Sequence, residues 1–152
     1  MPGKPNAQEI ERWHRWMAID LFNRTWDLLE SERGLGEDRE LLATALASWL
    51  HWRRVGDAKN RAVSDWQVSR VYAVLGDARQ AEEHGRAGLR IAEEGQPGPF
   101  YVGYACEALA RAAAAAGNQE ERRSWLARAH REAAAVADDQ ERAPLLGDLE
   151  TM

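Results

Sequence analysis

The residues with chemistry to offer are four histidines (His14, His51, His84, His130), one cysteine (Cys106) and an unusual load of tryptophan. No two histidines stand four residues apart, so no helix face carries the His pair a metal site needs. Glu11 and His14 form one Glu-x-x-His unit. A di-iron carboxylate site in a helical bundle needs two such units and two further carboxylates, and no second copy occurs. His14 therefore reads as a hydrogen-bonded core histidine, and neither a metal nor any other cofactor is expected. Cys106 lies in an alanine-rich stretch and reads as a small buried thiol. Nothing beside it would lower its pKa. Gly-x-Ser-x-Gly, P-loop and dinucleotide fingerprints are missing. No catalytic residue is expected, and an enzyme built on Glu11, His14 and the tryptophans stands last among the readings.

Seven tryptophans occur in 152 residues, six of them in the first 66. Trp26, Trp49, Trp52 and Trp125 fall on apolar helix faces and read as core. Trp13 and Trp16 lie on a polar flank beside Glu9, Asp20 and Asp27. They either cover a neighbouring helix or form an aromatic anchor for a partner, since tryptophan concentrates binding energy.

These side chains must be carried by helices. Glycine and proline are sparse, strand signals are nearly missing, and the stretches between are rich in Ala, Leu, Arg and Glu. Helical blocks are predicted over 7–31, 38–55, 58–75, 77–94, 100–116 and 119–137. A short terminal helix follows within 138–152, with Pro144 near its start. In the first block Ile10, Met17, Leu21 and Leu28 share a line, widened by Ala18, Phe22, Trp26 and Leu29. The second starts at Asp38 as N-cap and buries Leu41, Leu42, Ala45, Leu46, Trp49 and Trp52, leaving Thr44, Ser48 and His51 on the other side. The third is apolar almost all round, which marks a central helix. In the fourth, Ala78, Ala81, Gly85, Gly88 and Ala92 with Leu89 make a face of small residues, implying a closely approaching neighbour. Leu145, Leu146 and Leu149 would let the terminal helix cover an exposed end.

Composition narrows the class further. The chain has the length of one domain, is 45% hydrophobic and carries a net charge of −5 with pI near 5.4. Acidic and basic residues balance at 11 each over residues 1–76, so the deficit lies in the second half. An acidic chain argues against nucleic-acid binding. No apolar stretch reaches the length of a membrane span, and the opening Met1-Pro2-Gly3-Lys4-Pro5 is unlike a signal peptide. A cytoplasmic protein without membrane or nucleic-acid partners is expected.

Short turns recur at Gly56-Asp57, Gly76-Asp77 and Gly117-Asn118, spaced as one helix and then one helix pair. Within 66–89, Tyr72, the Gly76-Asp77 turn and Ala81 match the tetratricopeptide repeat pattern. Val68-Ser69 stands where Leu-Gly is usual, Trp66 is one residue late with Asp65 in the aromatic position, and Gly85 replaces a large residue. The unit 103–130 is looser, with Leu109, Ala110, Ala113, Leu126 and Ala129 suited and Arg122 out of pattern. The chain thus resembles tetratricopeptide repeat proteins over 62–137, and most over 62–92. The resemblance implies an all-α stack of antiparallel hairpins: a Trp-rich pair (1–56), two repeat-like hairpins (57–95 and 100–137) and a cap (138–152). It also implies that the first helix of each pair lines a concave face. Trp66 and Arg70, with Tyr104, Glu107 and Arg111, would then form a groove suited to a peptide or carboxylate.

The function expected on this basis is a protein- or peptide-binding adaptor. Its rival is a self-associating module that pairs through Trp13, Trp16 and the ends of the stack.

Overall fold

A computed structural model describes residues 3–152; Met1 and Pro2 of the opening segment lie outside the described residues. The chain folds into seven helices: α1 (Ala7–Glu30), α2 (Leu35–Val55), α3 (Ala58–Val74), α4 (Ala78–Gly95), α5 (Pro99–Ala115), α6 (Gln119–Ala135) and α7 (Asp139–Glu150). Among the described residues there is no strand. The fold is an all-α stack of antiparallel hairpins. α1 pairs with α2, α3 with α4 and α5 with α6, while α3 and α5 join the hairpins and α7 lies against α5 and α6.

Local chemistry sets the helix ends. Asn6, Asp57, Asp77, Asn118 and Asp138 each accept a backbone N–H of the following first turn. Gly76 and Gly117 take φ of 84° and 75°, the left-handed conformation that closes a helix. The Asp77 and Asn118 N–H groups then reach back to the carbonyls of Tyr72 and Ala113, each at 2.9 Å. Asp38 is not the N-cap of α2. The helix begins three residues earlier behind Gly34, whose N–H donates to the Glu37 carboxylate at 3.1 Å. Asp38 instead accepts from Arg33 Nε at 3.0 Å.

α3 is the central helix, with eight buried residues that include Ser64, Asp65, Gln67 and Ser69. Each of these four hydroxyl, carboxyl or amide groups has a hydrogen-bond partner. Ser64 bonds within α3, to the Arg61 carbonyl at 2.9 Å. Gln67 Nε2 donates to the Phe22 carbonyl at 2.9 Å and Ser69 Oγ to the Ala81 carbonyl at 2.7 Å. Asp65 accepts from Trp49 Nε1 at 2.9 Å and meets His84 Nδ1 at 2.8 Å. Among the described residues no buried side-chain polar atom lacks a partner.

The side of α2 opposite its apolar stripe, with Thr44, Ser48 and His51, is a second contact face. Thr44 and Ser48 are buried, Ser48 Oγ donates to the Ala18 carbonyl at 2.8 Å, and His51 meets His14 of α1. α2 lies between α1 and α3, so it needs two contact faces, and the more polar one serves α1.

The small-residue face of α4 does bring a neighbour close. A Cβ at Gly85 would stand 2.8 Å from Leu109 Cδ2, and one at Gly88 would stand 3.3 Å from the Ala62 carbonyl oxygen. Gly103 plays the same part for α7, since a Cβ there would stand 2.6 Å from Leu145 Cδ2. Gly85→Val, which forces a branched side chain against buried Leu109, is expected to cost about 1–3 kcal/mol. Gly36→Ala, with open space around its Cβ, is expected to gain about 0.5 kcal/mol. Urea unfolding midpoints check both, and a neutral Gly85→Val would break the claimed α4–α5 approach.

Candidate functional site

An aromatic ladder crosses α1, α3 and α5. Trp26 of α1 lies 5.2 Å from Trp66 of α3, Trp66 lies 4.6 Å from Tyr104 of α5, and Tyr104 lies 5.0 Å from Phe100. Helical spacing adds a polar row beside the ladder. Arg70 follows Trp66 by four residues, and Glu107 and Arg111 follow Tyr104 by three and seven. The guanidinium of Arg70 stacks over Trp26 at 5.1 Å.

The five expected groove residues converge on one another. Trp66 Nε1 donates to Glu107 Oε2 at 2.7 Å, and Arg111 Nε donates to the other oxygen of the same carboxylate. Arg70 stands 3.9 Å from Glu107. The Glu107 carboxylate is fully buried, and the two guanidinium groups compensate it.

They do not form an open face. Trp66, Tyr104 and Glu107 are buried and Arg70 and Arg111 half-buried, because α7 reaches them with its last turn. Asp148 Oδ2 accepts from the Tyr104 hydroxyl at 2.9 Å, and Asp148 Oδ1 lies 3.5 Å from Arg70. Arg111 donates to the Asp148 carbonyl at 3.3 Å and to Thr151 Oγ1 at 2.9 Å. Leu145 and Leu149, on the same side of α7, are buried beside them. Burial, then the Asp148 carboxylate, drives the Tyr104 hydroxyl well above the usual phenol range, so it stays a donor. Sequence reasoning gave α7 only the task of covering an end and missed Asp148 and Thr151. The available signal was a surplus of charge, since Arg70 and Arg111 face one internal carboxylate.

Of the remaining candidates, Trp13 and Trp16 stay 52% and 60% exposed. Trp13 packs edge-on against both His14 and His51 at 5.1 and 5.3 Å. Glu11 is exposed. The described residues hold no group of three or more His, Cys, Asp or Glu able to bind a metal ion. Cys106 is buried, which pushes its thiol up to about 12 and leaves it a poor nucleophile at neutral pH.

The two imidazoles of the α1–α2 hairpin meet Nδ1 to Nδ1 at 2.6 Å. One ring must donate and the other accept, so the contact needs at least one neutral partner. The facing charged groups are Glu9 on the His14 side and Arg53 and Arg54 on the His51 side. Burial first, then His14 and Arg54, hold His51 below the ordinary histidine range. A depressed value means the folded chain binds fewer protons than the unfolded one, so stability rises with pH. The contribution is complete above the unfolded value of about 6.5 and fades as pH falls through the folded value beneath it. The melting temperature is therefore expected to drop between pH 7 and pH 5, and His51→Gln is expected to flatten that drop. An unchanged slope in the variant would remove the pair as its cause.

Among the described residues no helix is long and apolar enough to cross a membrane. Comparison of the chain with models of known protein families, with curated proteins and with solved structures gave no match.

Proposed function

We propose that the chain is a partner-binding module whose inner face takes an acidic, leucine-bearing helix, with its own α7 as the resting occupant. One observation carries this reading: the Asp148 carboxylate sits against Tyr104 and Arg70 while Arg111 grips the backbone beside it. Buried aromatic rings and arginines held ready are the groups that concentrate binding energy in protein interfaces. A carboxylate between a hydroxyl donor and a guanidinium is held by charge-assisted hydrogen bonding. The ligand implied has two leucines four residues apart with a carboxylate just before the second, as Leu145, Asp148 and Leu149 have. This is helix-in-groove recognition, with i and i+4 anchors. The reading assigns no catalytic step.

Kinship with tetratricopeptide repeats is part of the proposal. Its support is the Gly76-Asp77 turn, closed by the Asp77 N–H on Tyr72, together with Ala81, buried where the second helix meets the first.

The test needs α7 to leave. Removing both Arg70 and Arg111 is a poor test, because it strands the buried Glu107 carboxylate at about 3–5 kcal/mol. Native-state hydrogen exchange is cleaner. Amides of α7 are expected to exchange at least tenfold faster than those of α5. A labelled peptide of residues 138–152 is expected to bind saturably to the Leu145→Ala/Leu149→Ala chain, and to lose at least tenfold in affinity when it carries Asp148→Ala. Equal protection of α7 and α5, or no binding in trans, overturns the reading.

A second reading, pairing with another copy, is favoured by the exposure of Trp13 and Trp16 beside exposed Ile10. It expects a sedimentation coefficient that rises with concentration and stops rising in Trp13→Ser/Trp16→Ser. A clean monomer at high concentration ends it.

A further inference from the structure

The inner face holds a second feature, away from the Asp148 cluster. A hollow of about 200 Å³, open to solvent, is lined by Phe22 of α1, Trp52 of α2, Lys59, Asn60 and Val63 of α3, and Tyr101 of α5. Four of the six lining side chains are aromatic or branched apolar. None takes part in the Asp148 cluster, and Asn60 stands ten residues before Arg70 on α3, about 15 Å along the helix axis.

Two donors of this hollow, an ammonium and an amide, are without a partner among the described residues. Lys59 Nζ lies 5.8 Å from the centre of the Tyr101 ring and has no carboxylate within ion-pair distance among the described residues. It is one of two lysines in a chain with 18 arginines, and the only one on this face. Asn60 uses its Oδ1 to accept the Asp57 N–H at 3.2 Å. That leaves its Nδ2, and the Trp52 indole N–H, without an acceptor among the described residues. The carboxylate on the same turn, Asp57, accepts the Asn60 N–H through Oδ1 at 3.0 Å and is not within ion-pair distance of Lys59. Apolar walls beside an unpaired ammonium and a free amide N–H suit a ligand with a flat apolar body and an anionic end.

Size limits the body. An apolar cavity of about 150 Å³ holds one benzene molecule. A hollow of about 200 Å³ therefore holds one phenyl ring and a short arm. We infer that this hollow binds an aromatic carboxylate, with the ring between Phe22, Val63 and Tyr101 and the carboxylate against Lys59 Nζ and Asn60 Nδ2. That chemistry has two sources, a free aromatic acid or the C-terminal phenylalanine of a peptide. The site stands whether or not α7 leaves its seat.

The probes are 3-phenylpropanoate and a short peptide ending in phenylalanine, each compared with its uncharged form, the methyl ester or the C-terminal amide. Titration of the full chain is followed by calorimetry and by the Trp52 indole N–H resonance, assigned with Trp52→Phe. Saturable binding of an acid is expected, with a shift of that resonance and about a tenfold preference over the uncharged form. Lys59→Gln, at an exposed position that leaves the fold intact, is expected to remove the preference. Val63→Phe, which fills the hollow, is expected to abolish binding. Binding of only one of the two acids assigns the source. Failure of both to saturate, or equal binding of acid and uncharged form, overturns the inference. An unchanged affinity in Lys59→Gln does the same.

Discussion

Each helix packed on α3 is tied to it by a hydrogen bond from a side chain nearly or wholly shielded from water. Gln67 holds the α1 backbone, Asp65 joins Trp49 of α2 to His84 of α4, Ser69 holds the α4 backbone, and Trp66 reaches Glu107 of α5. A buried polar group without a partner costs about 1–3 kcal/mol, so each of these ties also excludes other registers. A helix with a purely apolar surface could slide or rotate among its neighbours, and this one cannot. The hairpins stack as they do because one strongly specified helix stands among them.

The inner face inherits its geometry from that constraint. Trp66 is held by Glu107, and Glu107 is held in turn by Arg111 and Arg70. The arginines therefore present their remaining donors in set directions, toward the place that Asp148 fills. The same buried carboxylate that locks α3 to α5 thereby pre-arranges a carboxylate site on the surface of the pair. The hollow at Lys59 lies at the other end of α3, where the helix begins, and among the described residues no carboxylate pairs with that lysine.

The N-terminal hairpin is built differently. Beside its apolar cluster, its contact includes a hydrogen bond between His14 and His51 and Ser48 reaching the α1 backbone. Two exposed tryptophans flank it. Here the polar contact is between two imidazoles, one of which burial holds below the ordinary histidine range.

Much of the fold was legible in the sequence because it is decided locally. Glycines at turns, side-chain caps and a 3.6-residue apolar period are properties of short segments, and they indicated six helices and a short terminal one, the central place of α3 and the close approach at Gly85 and Gly88. The start of α2 was misplaced because Asp38 and the Gly34-to-Glu37 pair both offer a first turn, and in the structure the Gly34 N–H closes on Glu37 while Asp38 takes Arg33. The burial of the second face of α2 was not read from the sequence, because it depends on α1 placing the Ala18 carbonyl against Ser48. The convergence of Trp66, Arg70, Tyr104, Glu107 and Arg111 followed from spacing and a family resemblance. What sits on them did not. Asp148 is 37 residues beyond Arg111 and 78 beyond Arg70, and contacts at that separation depend on how the hairpins stack, which only the tertiary structure decides.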